Sequence, residues 1–315
     1  MSPTLPPDPT AMFTPSEVEA RTGVPAATLR QWERRYGFPA PVRNASGYRL
    51  YSPRDLAQIG EMLGHLRAGV PASRAAQLIR PAGPGPSQAA PVAALAGALL
   101  QALVASDPVR AAALLSEAHA RLSVEDVLLN VMAPALTELG HGHARGEILI
   151  AQVQQAGVFL RGRVAALLEL AGRGTFGPGV VAACAPGEQH EIGLMMVVLT
   201  LRRQGVRAEY LGANMPLGDL ALYAQRRQAD AVLLALSGEW ALEATRAQSA
   251  ALTALAVPIF YGGALLNASP ELAPALGGLY AGPDAREAAA TIIRQLRPAY
   301  RKGRERPHPA RWPEE

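Results

Sequence analysis

Val180-Val181-Ala182-Ala183-Cys184-Ala185 is an unbroken apolar run, and Gly187-Glu188-Gln189-His190-Glu191-Ile192-Gly193 follows it almost at once. The run reads as a buried strand, which Gly187 and the polar residues end before a helical pattern begins. Working outward, strand-like runs recur at Val206–Leu211, Ala231–Leu236, Pro258–Tyr261 and Gly278–Ala281, with helical segments between them. That alternation predicts a doubly wound parallel α/β sheet over residues 179–298. Open α/β sheets bind ligands beyond the carboxyl ends of their strands, which is where His190 falls. His190 is therefore a candidate metal ligand, with the Glu188 carboxylate placed to hold its other ring nitrogen.

The rest of the chain divides around this block. With 315 residues, two or three domains with separate cores are expected. Pro81-Ala82-Gly83-Pro84-Gly85-Pro86-Ser87 cannot continue a helix and predicts a connector over 81–90. A second Gly-rich break covers 172–178, and residues 1–12 and the basic tail 299–315 are expected to be disordered. Residues 91–171 are rich in Ala and Leu with helical periodicity, Val124, Val127, Leu128 and Val131 marking one stripe. Breaks at Ser106-Asp107-Pro108, Arg121-Leu122-Ser123 and Gly140-His141-Gly142 predict a four-helix bundle.

Composition narrows the function classes. Cys184 is the only cysteine, so an intrachain disulfide or thiolate cluster is excluded and a cytoplasmic location is expected. Neither a secretory signal nor a membrane span is expected. The net charge of +4 is unevenly spread: residues 13–80 hold ten Arg against five acidic residues. Such a local excess points to a polyanion partner. In this block Thr14-Pro15-Ser16-Glu17 and Ser52-Pro53-Arg54-Asp55 are helix-start signals. Gly23 to Tyr36 places a turn before a short basic helix with Arg30 and Arg34 on one face and Leu29 and Trp32 facing inward. That is the recognition element of a helix-turn-helix, which enters the major groove of double-stranded DNA. Beyond it, Arg43 to Tyr51 reads as a hairpin turning at Asn44 and Gly47, with Tyr48 and Arg49 suited to backbone phosphates.

Thr28-Leu29-Arg30-Gln31-Trp32-Glu33-Arg34-Arg35-Tyr36-Gly37 with Gly47-Tyr48-Arg49-Leu50-Tyr51 resembles the winged helix-turn-helix domain of MerR-type transcription regulators. The resemblance implies promoter DNA contacts from Arg30, Arg34 and Arg35 on the helix and from Arg43, Tyr48 and Arg49 on the wing. The metal-sensing branch uses cysteines this chain lacks. It also dimerises through a long helix that the Pro/Gly connector interrupts here. Homo-oligomers are accordingly expected to assemble through the later blocks.

Glu188-x-His190-x-x-Gly193 is similar to the signature of cobalamin-binding domains of the methionine synthase and methylmalonyl-CoA mutase group, which have a flavodoxin-like fold. The resemblance implies that His190 replaces the cofactor's own base as lower cobalt ligand. It also implies that the displaced nucleotide tail enters a slot by Gly193, Ser237, Gly262 and Gly263. Tyr210 to Leu217 resembles the loop after that group's second strand. Where the group has Ser-x-Leu, this chain has Ser237-Gly238-Glu239.

The three blocks in this order resemble the CarH/LitR photoreceptor regulators, in which the bundle caps the upper face of adenosylcobalamin. The family implies assembly on DNA in darkness and disassembly when light breaks the cobalt–carbon bond. Its cap motif has changed here. His143 stands in place of the Trp, Ala144 in place of the His after it, and Val153-Gln154 in place of Glu-His. Near the cap remain His141, His143 and Met132. His143 opposite His190 would form a bis-histidine site suited to aquocobalamin or to haem. Alternatively, His141 and His143 are solvated residues of a Gly-rich turn.

Four readings follow. The first is a non-enzymatic regulator whose DNA binding or assembly is set by cobalamin, with light as one input. The second is a regulator that senses redox state or a gas through haem or another tetrapyrrole. The third is a corrinoid-dependent transferase, against which stand the DNA-reading block and the absence of a substrate-activating domain. The fourth is a regulator with an empty pocket that works through protein partners.

Overall fold

The computed structural model describes residues 13–43, 47–79, 89–172, 174 and 177–301. The expected disorder of 1–12 and the wing-turn residue Asn44 lie outside these, as do most of the first connector and the last fourteen residues. Contacts divide the chain into two units, one reaching Gly174 and including Arg202–Gly205, the other holding Thr175–Leu201 and the residues from Val206 onward.

In the first unit, α1 (Pro15–Thr22) and α2 (Ala26–Tyr36) meet through Gly23, whose φ of 72° is the left-handed conformation that ends α1 and makes the turn. The Glu19 carboxylate accepts from the Ala26 N–H at 3.0 Å, so α1 caps α2 where Pro25 has no side-chain cap to offer. β1 (Val42–Arg43) and β2 (Arg49–Leu50) form the antiparallel wing. α3 (Pro53–Arg67) and α4 (Ala72–Ile79) complete the domain. Thr14 with Glu17, and Ser52 with Asp55, form reciprocal capping boxes at α1 and α3, each cap contributing about 1 kcal/mol. Leu29 and Trp32 turn inward with Val18, Leu56 and Ile59, leaving Arg30, Arg34 and Arg35 exposed.

The bundle follows in the same unit. α5 (Ala89–Val104) and α6 (Pro108–Arg121) come first. α7 (Val124–Val127) then runs through a π-helical turn, Leu128–Met132, into α8 (Ala133–Ala144), and α9 (Ile150–Ala171) closes the set. The predicted stripe of Val124, Val127, Leu128 and Val131 is buried. Two boundaries are corrected. α5 starts at Ala89 rather than Pro91, because Pro is tolerated in a first helical turn. Gly140-His141-Gly142 does not break the bundle: α8 continues to Ala144. A Cβ on Gly142 would lie 2.5 Å from the Ile148 side chain, so this glycine admits a neighbour rather than ending a helix.

The second unit is the α/β block. Five parallel strands, β3 (Gly179–Cys184), β4 (Arg207–Tyr210), β5 (Ala231–Ala235), β6 (Ile259–Gly262) and β7 (Leu279–Tyr280), lie in the order β4-β3-β5-β6-β7. α10 (Ile192–Arg203), α11 (Leu217–Arg226), α12 (Glu239–Gln248) and a C-terminal helix, Ala285–Arg301, connect and cover them. Residues 299–301 are thus helical rather than part of a disordered tail. Every residue of β5, and all of β3 after Gly179, is buried, as strands covered on both faces must be. The order reverses between β3 and β5, which puts a crevice beyond the carboxyl ends of those two strands.

Candidate functional site

The loop after β3 carries the site. Gly187 takes φ 79°, and its N–H donates to the Asn214 side-chain oxygen at 2.7 Å. The Asn214 N–H donates to the Glu188 carbonyl at 2.9 Å, so the loop after β4 clamps the loop after β3. Glu188 is fully buried. One carboxylate oxygen accepts from the His190 N–H at 2.8 Å and from His190 Nδ1 at 2.7 Å, and the other accepts from the Ser237 N–H at 2.5 Å. A single carboxylate therefore joins the loops after β3 and β5 across the crevice.

That geometry sets the chemistry of the histidine. An ionised carboxylate only accepts, so Nδ1 must carry a proton, and in the neutral ring Nε2 keeps its lone pair. The ring is 70 % exposed, so Nε2 can be reached from solvent. Burial by itself would raise the Glu188 pKa, but the hydrogen bonds from His190 and Ser237 outweigh it and hold the carboxyl below the ordinary value. His190 is correspondingly raised, chiefly by its hydrogen bond to Glu188 and against the effect of burial. Beneath them the Cys184 thiol is pushed up to about 12 by burial and the nearby Glu188 and Glu191 charges. It is no thiolate ligand.

Gly193 is exposed at the first turn of α10, and a Cβ built there would meet nothing within 4 Å. Backbone thus borders open space one helical turn from the histidine. Gly263 serves a different need: at φ 108°, a Cβ would run into the Leu236 carbonyl, so the glycine lets the ends of β5 and β6 close together. Gly262 ends β6, and its N-terminal neighbours are core. Glu188, His190 and Ser237 thus touch directly, while Gly193, Gly262 and Gly263 border the same strand ends.

Three contributors were not among the candidate site residues, although two of them lie in the Tyr210 to Leu217 loop that the resemblance singled out. Asn214, in the left-handed region at φ 52°, holds the histidine loop. Tyr210 donates its hydroxyl to Glu191, the residue after the histidine. Trp240 is 54 % exposed, with its ring centroid 6.3 Å from that of His190. An Asn after a Gly-Ala pair in a turn was a legible signal for the first. The other two depend on which loops the topology brings together.

His143 belongs to the first unit. It sits on the last turn of α8, and its Nδ1 lies 3.0 Å from the Ile148 carbonyl oxygen. His141 faces Glu138 at 3.8 Å and is largely exposed, while Met132 is fully buried. Among the described residues, no three His, Cys, Asp or Glu side chains gather as a metal cluster.

On the DNA-reading surface, Arg30, Arg34, Arg35, Arg43 and Tyr48 are exposed. Arg49 is committed elsewhere: it forks onto the Glu33 carboxylate at 2.9 and 3.4 Å and ties the wing to the recognition helix. A pocket beside these is lined in part by Arg30, Tyr48 and Tyr51. The buried Tyr51 hydroxyl has no hydrogen-bond partner among the described residues.

Comparison with known proteins places these features. Residues 13–80 match the model of the MerR HTH family of regulatory proteins, and residues 95–168 and 178–290 each match a B12 binding domain. The chain is 36 % identical over 209 residues to the HTH-type transcriptional repressor CarH of Myxococcus xanthus, covering 63 % of this chain and 70 % of that protein. It is 28 % identical to the repressor CarA of the same organism, over 63 % of this chain and 67 % of CarA. The monomethylamine corrinoid protein of Methanosarcina barkeri shares the fold at a TM-score of 0.56 and 18 % identity, over 62 % of this chain and 96 % of that one. The chain belongs to the family of MerR-type transcription regulators with B12-binding domains that includes CarH and CarA.

Proposed function

We propose that this protein is a transcription regulator that binds promoter DNA through residues 13–80, and that a cobalamin held on His190 controls that binding. The observation that carries the reading is the Glu188–His190 pair: a buried carboxylate fixes the tautomer and leaves an exposed Nε2 above the crevice between β3 and β5. The chemistry of this donor set fits a macrocyclic metal centre, since one oriented imidazole suffices when the macrocycle supplies the remaining ligands. Open space at Gly193 fits passage of a nucleotide tail close to backbone. When bound, a cobalamin would supply a cobalt centre whose chemistry can respond to light and redox state. The protein's part is to orient the imidazole, keep Glu188 ionised and anchor both flanking loops.

On the DNA side, Arg30, Arg34 and Arg35 form the groove-facing surface, with Arg43 and Tyr48 on the wing. Arg49 acts by positioning the wing. We read the protein as a cytoplasmic homo-oligomer rather than an enzyme, and no helix among the described residues is long and apolar enough to cross a membrane.

Gel-shift titration of promoter DNA tests this, comparing apoprotein, protein loaded with adenosylcobalamin in darkness, and the same sample after illumination. The expected result is a cofactor-dependent shift in affinity or stoichiometry, with the illuminated arm reporting light sensitivity. Identical binding in all arms would remove the sensor reading. A strong Soret band in the purified protein would replace cobalamin with haem.

A further inference from the structure

Trp240 is a large apolar side chain close to the histidine, and the sequence signatures did not include it. It lies on the first turn of α12, just after Ser237-Gly238, and remains 54 % exposed. Its indole rests on two glycines from opposite sides of the crevice. A Cβ on Gly238, after β5, would run into the six-membered ring, and one on Gly187, after β3, would lie 3.5 Å from Cδ1. Glu188 already ties these two loops together through His190 and Ser237. The indole therefore bridges the mouth of the crevice at the switch point, beside the imidazole, with its ring tilted 48° to it at 6.3 Å.

We infer that Trp240 is a cofactor-contact residue whose exposed indole offers an apolar contact beside His190 to a macrocycle ligated by that histidine. This rests on the cobalamin reading and names how the site recognises the ring. The offset between the two rings is comparable to the half-width of a tetrapyrrole. With the two rings tilted 48° to each other, a macrocycle held on Nε2 would meet the indole at an incline, so that part of the exposed indole replaces water at its underside. Because Gly238 has no Cβ, the indole can pack close to its backbone, and the exposed part of the ring is left to the ligand. An exposed Trp otherwise leaves a large apolar area in water, which ligand binding removes. The macrocycle itself, rather than the nucleotide tail, makes this contact.

Hydroxocobalamin and cobinamide, which carries the same ring without the nucleotide, separate ring contact from tail contact. Equilibrium titrations followed by absorbance would compare wild type, Trp240→Ala and Trp240→Phe, with circular dichroism confirming that each variant is folded. The expected result is about tenfold weaker binding of both ligands by Trp240→Ala, the scale of one lost aromatic contact. Trp240→Phe should fall between, and the spectral signature of histidine ligation should survive in both variants. Wild-type affinity for both ligands in the variants, or a loss confined to hydroxocobalamin, would overturn the inference. If wild-type protein binds neither ligand, the cobalamin reading itself fails.

Discussion

At the scale of single residues, Glu188 does the most with one side chain. Fully buried, it accepts from two groups of His190 and from the Ser237 amide, which repays the desolvation of its charge. Glu188→Gln retains the size but offers one accepting oxygen in place of two. At least one buried donor then loses its partner, and Nδ1 no longer faces a full charge. Cobalamin affinity is expected to drop about 10- to 100-fold, the usual effect of losing the partner of a ligating histidine. Titration with hydroxocobalamin checks this, and unchanged affinity would show that the carboxylate plays no part in ligation. The Glu-x-His pairing was legible in the sequence because two residues of extended loop bring a carboxylate back to an imidazole. The partner of Arg49 was not legible: its pairing with Glu33 joins residues sixteen apart in sequence, and only the folded wing brings them together.

Among the elements, those with an internal pattern were legible and those defined by a distant neighbour were not. β3, β5 and β6 announce themselves as apolar runs, and the two capping boxes mark their helices. In α8, by contrast, Gly140-His141-Gly142 has the composition of a turn yet stays helical, because Ile148 folds back against Gly142. The two glycines therefore respond oppositely to alanine. A Cβ on Gly140 meets nothing within 4 Å, so Gly140→Ala should stabilise by roughly 0.5–1 kcal/mol through backbone entropy. Gly142→Ala would press on Ile148 and should destabilise by roughly 1–3 kcal/mol despite the same gain in helix propensity. Thermal melts of the two variants decide the matter, and equal shifts would contradict the packing assigned to Gly142. The π-helical turn at Leu128–Met132 was equally hidden, since the buried stripe reads as ordinary helical spacing.

At the scale of whole domains, one buried guanidinium in the first unit meets carboxylates of both the DNA-reading helices and the bundle. Arg203, in the first unit, meets Glu61 of α3 at 2.5 Å and Glu125 of α7 at 2.9 Å, with its side chain 6 % exposed. Removing one partner of a buried ion pair strands the other, so Arg203→Met is expected to cost about 3–5 kcal/mol, measured by denaturant unfolding. Burial alone would raise the Glu125 pKa, yet the Arg203 charge and hydrogen bond hold it below the ordinary 4.5. A carboxyl lowered by folding contributes stability above its unfolded pKa, and that contribution is lost as pH falls through the folded value. Glu125→Gln should therefore be less stable than wild type by roughly 1.5–3 kcal/mol at neutral pH. The difference should shrink as pH drops below about 4.5, and a gap constant with pH would contradict this assignment. Nothing in the sequence pairs these three residues, which come from separate helices.

The central claim is that occupancy of the His190 site governs DNA binding, and one titration tests it most directly. Wild-type protein and His190→Ala, each with and without cobalamin, would be titrated onto labelled promoter DNA at fixed salt and followed by fluorescence anisotropy. The account predicts that cobalamin changes the wild-type affinity or stoichiometry, and that His190→Ala binds DNA as the apoprotein does and no longer responds. A wild-type curve indifferent to cobalamin, or a response that survives His190→Ala intact, would contradict it.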